Sequence, residues 1–250
     1  PRRTDCTSTI MNKYTSALLM GAYYVSAPQG TLLAVEDLPE TVVVANRVET
    51  PLNQTGSSVT VLDVPTLERD GIFTLEDALR RAPGVFSEST GGPRGSISSL
   101  FLRGTNTRQS HLQVDGIRLS DSTVVSGNFL GNAMLGGGGT IEVLRGPQSA
   151  LYGGESIGGV VSIRSARGAG DPVSRVGVEA GSFRSMRAAA TSSGEVGRLS
   201  YTVHAGWEQT DNDAQGTAEL DYEQLSYAMR LDYAVNDAVT VGMTVRGGDG

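Results

Sequence analysis

Cysteine is nearly missing from this chain of 250 residues: Cys6 is the only one. No disulfide can therefore close within it, and no cysteine-based metal site or nucleophile is available, so thiol redox chemistry is not expected. Histidine is almost as scarce. His111 and His204 lie far apart in sequence, and a surface or lumen position is expected for each rather than metal ligation. Basic charge is also short, with 20 Lys and Arg against 27 Asp and Glu, a net charge of −7 and no basic stripe, which argues against a nucleic-acid binder. The apolar run Ser16 to Val25 is too short to cross a bilayer as a helix. No catalytic constellation stands out. Ser149 lacks the second glycine of a nucleophile elbow, and Gly136-Gly137-Gly138-Gly139 lacks the Lys and Ser/Thr of a phosphate loop. An enzyme is not expected.

Glycine, by contrast, is abundant: 33 residues, falling in turns and between short apolar runs. That distribution suits an all-β or α+β chain better than a helical bundle. Residues 1–10 read as upstream sequence, and Cys6 lacks the preceding apolar residues of a lipid-attachment site. Residues 11–34 read as an export signal, with Met11, the positive Lys13 and the apolar core, cleaved after Ala27 or, since Pro28 disfavours that cut, after Ala34. Residues 35–50 form a polar, proline-marked lead around Glu40-Thr41-Val42-Val43-Val44, a β-prone segment with no obvious strand partner of its own.

Residues 51–168 read as an α+β globule. Ser58 to Leu62 is a strand, and a brief helical turn follows Pro65. Thr74 opens a helix with capping-box spacing to Asp77 that stops at Pro83-Gly84. Strands are expected on either side of an Asp115-Gly116 turn. Over 173–250 the pattern becomes two-residue alternation. Leu199, Tyr201, Val203, Ala205 and Trp207 are apolar, whereas Ser200, Thr202, His204, Gly206 and Glu208 are polar or small. Leu225 to Tyr233 and Val239 to Val245 repeat it, while Arg175 to Gly181 and Ser185 to Thr191 fit less cleanly. These are about five strands of ~10 residues with one face for lipid and one for a lumen. Tight turns at Glu195-Val196-Gly197 and Asn236-Asp237 alternate with a longer loop from Thr210 to Glu219, and several aromatics sit near strand ends. A soluble β-sandwich would alternate too, but would not account for the blocks that precede these strands.

Three such blocks stand in order: Leu75-Glu76-Asp77-Ala78-Leu79-Arg80-Arg81-Ala82-Pro83-Gly84-Val85; Leu100 to Asn106 with Leu112-Gln113-Val114-Asp115-Gly116-Ile117-Arg118-Leu119; and Ile141-Glu142-Val143-Leu144-Arg145-Gly146-Pro147-Gln148-Ser149-Ala150-Leu151-Tyr152-Gly153-Gly154. Together they resemble the plug domain of TonB-dependent outer-membrane receptors, cobalamin and siderophore receptors most nearly. The resemblance implies an α+β plug domain followed by the start of a transmembrane antiparallel β-barrel, with about five of roughly 22 strands in this chain. Gly136 to Gly139 departs from the family, which has a short polar turn of helix there, and no defined structure is expected for it.

By resemblance, Glu40, Thr41, Val42, Val43 and Val44 are the TonB box, which adds as a strand to the periplasmic domain of TonB. Arg103 and Arg145 correspond to plug arginines that face glutamates on the inner wall, and those partners are expected beyond Gly250. Ser126, Gly127, Asn128 and Phe129, on an apical loop, are the expected substrate contacts. Asp211 and Asp213 resemble a calcium-holding loop of the cobalamin receptor. The implied function is TonB-dependent import of a scarce chelate, a siderophore-iron complex or a corrinoid, across the outer membrane. A passive porin-like barrel and a soluble periplasmic ligand-binding module are the alternatives.

Overall fold

A computed structural model describes residues 41–42, 44–89, 98–119, 134–211 and 221–249. The chain enters as an arm. β1 (Thr41–Val42) pairs antiparallel with β2 (Thr50–Pro51), the chain reversing through Arg47 at φ 59°. The segment expected to lack a partner thus finds one on its own returning limb, because the polar stretch after Val44 can turn tightly enough to bring Thr50 opposite Val42.

Next come β3 (Ser58–Asp63) and two short helices, α1 (Val64–Arg69) and α2 (Leu75–Leu79). Both helices start where the sequence supplies a cap. The Asp63 carboxylate accepts from the Thr66 amide at 3.0 Å, and the Thr74 hydroxyl accepts from the Asp77 amide at 3.2 Å, satisfying first-turn donors that have no intrahelical partner. A separate ribbon pairs β4 (Val85–Ser89) with β5 (Ser98–Leu102). β6 (Ser110–Val114) and β7 (Ile117–Arg118) form a hairpin whose two turn residues, Asp115 and Gly116, have φ of 48° and 82°. Positive φ at both positions is the requirement of a type I′ turn, which Asp-Gly meets at little cost. β8 (Gly138–Arg145), α3 (Ser149–Tyr152) and β9 (Gly159–Ser165) complete the sheet, in the order β3-β8-β9-β6-β7. β6 and β9 run parallel; the other pairs are antiparallel.

Both faces of this sheet are covered. Ile141, Val143, Val161, Ile163 and Leu112 point to a core closed by Val64, Leu67, Leu75 and Leu79 of the helices. Leu144 and Val160 point the other way, onto Val42, Val44 and Ala45 of the arm and the ring of Tyr152. β8 and β9 therefore read as near-continuous apolar runs, as strands covered on both sides do.

A second sheet follows in simple sequence order, β10 (Val173–Ala180), β11 (Met186–Val196), β12 (Leu199–Asp211), β13 (Asp221–Asn236) and β14 (Val239–Asp249), every pair antiparallel. The β11–β12 connection is a two-residue turn with Gly197 at φ 63°. The expected alternation is present: Thr202, His204, Glu208, Gln224 and Ser226 are buried on one face, whereas Val203, Leu225, Tyr227, Val241 and Met243 are exposed on the other. An apolar outer face backed by a polar inner one is the wall of an outer-membrane barrel.

Candidate functional site

Three places carry the features singled out in the sequence: the seat of the arm, the contact between plug and wall, and the pair of plug arginines.

The arm's seat is built by the longest of the sequence blocks. Ile141 to Arg145 supplies β8, Gly146 at φ 110° leaves the strand, and Gly153 at φ 88° ends α3, so that the Tyr152 ring turns inward. The Tyr152 hydroxyl donates to the Val44 carbonyl at 2.7 Å, and the Val44 amide donates to Glu142 Oε2 at 2.7 Å. Glu142 is 1% exposed. Its other oxygen faces Arg164 Nη1 at 3.5 Å, and Arg164 Nη2 reaches Glu49 Oε1 on the returning limb at 3.3 Å. Burial raises the pKa of the Tyr152 phenol above its ordinary value, and the nearby Arg47, whose guanidinium lies 4.6 Å over the ring, offsets part of that rise. Of the expected TonB-box residues, Val42 and Val44 are buried here, Thr41 lies in β1, and Glu40 and Val43 fall outside the described residues.

His111 is a correction. Instead of a surface or lumen position it is buried in the plug, with Nε2 3.3 Å from Gln113 Oε1 and its ring 5.3 Å from that of Tyr152. The Tyr152 ring packs against it from α3, 41 residues later, which periodicity alone does not reveal. Desolvation lowers its pKa below the ordinary 6.5, the bond to Gln113 opposing this and Arg118 and Arg47 adding to it.

Plug and wall meet at several described contacts, among them Arg246 Nη1 donating to the Met134 carbonyl at 3.2 Å and the Arg187 guanidinium over the Phe73 ring, and two involve residues singled out in the sequence. In the first, the Asp115 carboxylate accepts from the Ser165 amide and hydroxyl, at 2.8 and 2.6 Å, and faces Arg230 Nη1 of β13 at 3.5 Å. Arg230 is also gripped in a fork by Asp232, at 2.7 and 3.3 Å. Asp115, Arg230 and Asp232 border a cavity of about 490 Å³ between arm, plug and wall, together with Arg47, Tyr152 and Arg164. In the second, Gly136 and Gly137 lie against His204 of β12: a Cβ built on Gly136 would overlap the imidazole. The glycine run expected to lack defined structure is therefore fixed. Gly136 and Gly137 are a turn that lets plug backbone touch the wall, and Gly138 begins β8. His204 faces the lumen side as expected, with Nδ1 2.8 Å from the Thr191 hydroxyl. Asp115 had been legible only as a turn residue; its carboxylate's second role has no signal in the sequence.

Arg103 and Arg145 flank Gly84 together. Arg145 donates to Ser58 Oγ at 3.1 Å and to the Pro83 carbonyl at 2.7 Å, and neither arginine makes an ion pair among the described residues. Desolvation, reinforced by the neighbouring Arg103 charge, lowers the Arg145 pKa. The expected substrate contacts Ser126, Gly127, Asn128 and Phe129 lie outside the described residues, as does Asp213. Asp211 ends β12, and its carboxylate is taken by Arg184 Nε at 2.7 Å.

Comparison with known proteins agrees with this geometry. The TonB-dependent Receptor Plug Domain family matches residues 51–160. The vitamin B12 transporter BtuB of Vibrio vulnificus strain CMCP6 is 32% identical over 216 residues, which cover 82% of this chain and 34% of the relative. The pyoverdine outer membrane receptor FpvA of Pseudomonas aeruginosa PAO1 superposes with a TM-score of 0.72 at 19% identity, over 83% of this chain and 30% of that one. The ferric yersiniabactin uptake receptor FyuA of Yersinia pestis gives 0.63 at 24% identity, over 77% and 31%. The chain thus spans about a third of the length of the relative transporter. A two-faced α+β plug lying against an alternating antiparallel wall, the family match across the plug and the shared fold lead to one conclusion: this chain belongs to the TonB-dependent receptors of the Gram-negative outer membrane, of which it carries the plug and five strands of the barrel.

Proposed function

We propose that the receptor to which this chain belongs imports a scarce chelate, a corrinoid or a siderophore-iron complex, across the outer membrane by TonB-dependent active transport. In this reading residues 11–34 are the export signal, 35–50 carry the TonB box, 51–168 are the plug and 173–250 begin the barrel. Substrate settles on apical plug loops that include Ser126, Gly127, Asn128 and Phe129. The arm from Glu40 to Val44 is captured by strand addition to TonB in the periplasm. Force derived from the inner-membrane proton gradient then rearranges the plug, and no bond of the substrate is made or broken.

The observation that carries this is the arm. Val42 and Val44 are buried against the sheet, yet the segment's strand ladder is two residue pairs long and its remaining main-chain hold is the pair of bonds from Val44 to Glu142 and Tyr152. Burial of each valine contributes about 1.5–3 kcal/mol, a gain that ordering the backbone at ~1–2 kcal/mol per residue largely offsets. Such a segment can leave its seat without unfolding the plug. A passive porin would have no use for it. The positive pair Arg103 and Arg145, without an ion pair among the described residues, supports a wall carboxylate opposite them, the latch that the reading requires.

Capture of the intact, detergent-purified receptor by the periplasmic TonB domain tests the reading. Val42→Pro removes a main-chain donor and bends the strand, and is expected to abolish capture. Equal capture of both proteins would remove energy coupling from the account.

A further inference from the structure

We propose that Glu142 and Tyr152 form a main-chain clamp on Val44 that sets how often the arm is free for strand addition, an inference that rests on the TonB-pairing reading above. In an extended strand the amide and carbonyl of one residue point to the same side, and a neighbouring antiparallel strand takes both. At Val44 both are already taken, the amide by Glu142 Oε2 and the carbonyl by the Tyr152 hydroxyl, each at 2.7 Å. Clamp and partner strand therefore compete for the same two groups, and pairing at Val44 requires the clamp to open first.

Two further features suit the pair to this task. The clamp holds backbone with buried side chains, Glu142 and Tyr152 being 1% and 8% exposed, so water does not compete for either bond. When Val44 departs, the Glu142 carboxylate keeps Arg164 beside it, so opening does not strand a lone buried charge. Arg164 also reaches Glu49 on the returning limb, so the carboxylate that holds Val44 and the one that follows it share a single guanidinium.

The test uses the intact receptor with a nitroxide on Val48→Cys, where the arm is exposed, and three variants. Tyr152→Phe deletes the hydroxyl but keeps the ring that packs on His111 and under Arg47. Glu142→Gln keeps the volume and weakens the acceptor. Val42→Pro is the control for TonB pairing. Losing a hydrogen bond that leaves a buried carbonyl unpaired should raise the open population of Tyr152→Phe roughly tenfold. The expected results are a more mobile nitroxide, about tenfold tighter capture by the TonB domain, and unchanged hydrogen-exchange protection of β8 and β9. Glu142→Gln should move label and capture in the same direction. The clamp is refuted if Tyr152→Phe leaves label mobility unaltered, or if β8 and β9 lose protection alongside the arm, since that outcome marks a general packing role. Capture that survives Val42→Pro would instead strike the TonB reading, while the label still decides the clamp.

Discussion

Replacing Gly136 with alanine should push the plug off the barrel wall, and removing the His204 ring should undo the damage. The added Cβ would overlap Nε2, Cδ2 and Cε1 of that imidazole at once. The ring has little room to retreat, because Nδ1 is 2.8 Å from the Thr191 hydroxyl and Gly206 passes close to Nε2 on its other side. Gly136 has no positive φ, so alanine introduces no backbone strain there and the cost is steric. Overpacking at a filled contact costs about 1–3 kcal/mol, equivalent to roughly a five- to 150-fold rise in the population with this turn lifted. Hydrogen exchange in the intact receptor reads that population directly in the amides of Gly138 to Arg145, which follow the turn. Gly136→Ala should accelerate their exchange by that factor. His204→Ala alone should do little, and the double variant should return most of the protection, with a coupling of about 0.5–3 kcal/mol. If Gly136→Ala exchanges like the parent, or if the double variant is no better than the single, plug and wall do not touch at this point.

Two further expectations concern the plug itself. Thr74→Ala removes the acceptor for the Asp77 amide at the start of α2 and should lower plug stability by about 1 kcal/mol in denaturant melts, whereas Thr74→Ser should be near neutral. His111 has a folded pKa below its ordinary 6.5, so its contribution to stability is complete above that value and is lost as pH falls through the depressed folded pKa. Protection of β6 should therefore be flat above about pH 6.5 and decline with acid, and His111→Gln should flatten the decline. An unchanged acid limb in that variant would assign it to other groups.

The features that could be read without coordinates are those that depend on neighbours along the chain. Thr74 three residues before Asp77 makes a cap wherever the helix sits. Asp115-Gly116 favours two successive positive φ angles, and the alternation from Leu199 onward puts His204 on one face and Val203 on the other. These are properties of one to ten consecutive residues, and they emerged as expected. The three sequence blocks likewise placed the plug.

What stayed hidden depends on residues about forty to over a hundred positions apart. The polar position of Glu142 in an apolar strand gives no hint that its carboxylate ends at the Val44 amide, 98 residues earlier. His111 reads as a surface or lumen residue because nothing local announces that the Tyr152 ring will pack against it. Four glycines in succession read as slack chain, yet Gly136 is the residue small enough to let backbone meet a barrel imidazole. Asp115 shapes its turn by local conformation and meets Arg230 only because two sheets come together. The sequence by itself determined the elements, their periodicity and the family. Tertiary structure alone decided which polar groups are buried and what satisfies them, because desolvation is set by everything packed around a side chain and not by the residues beside it.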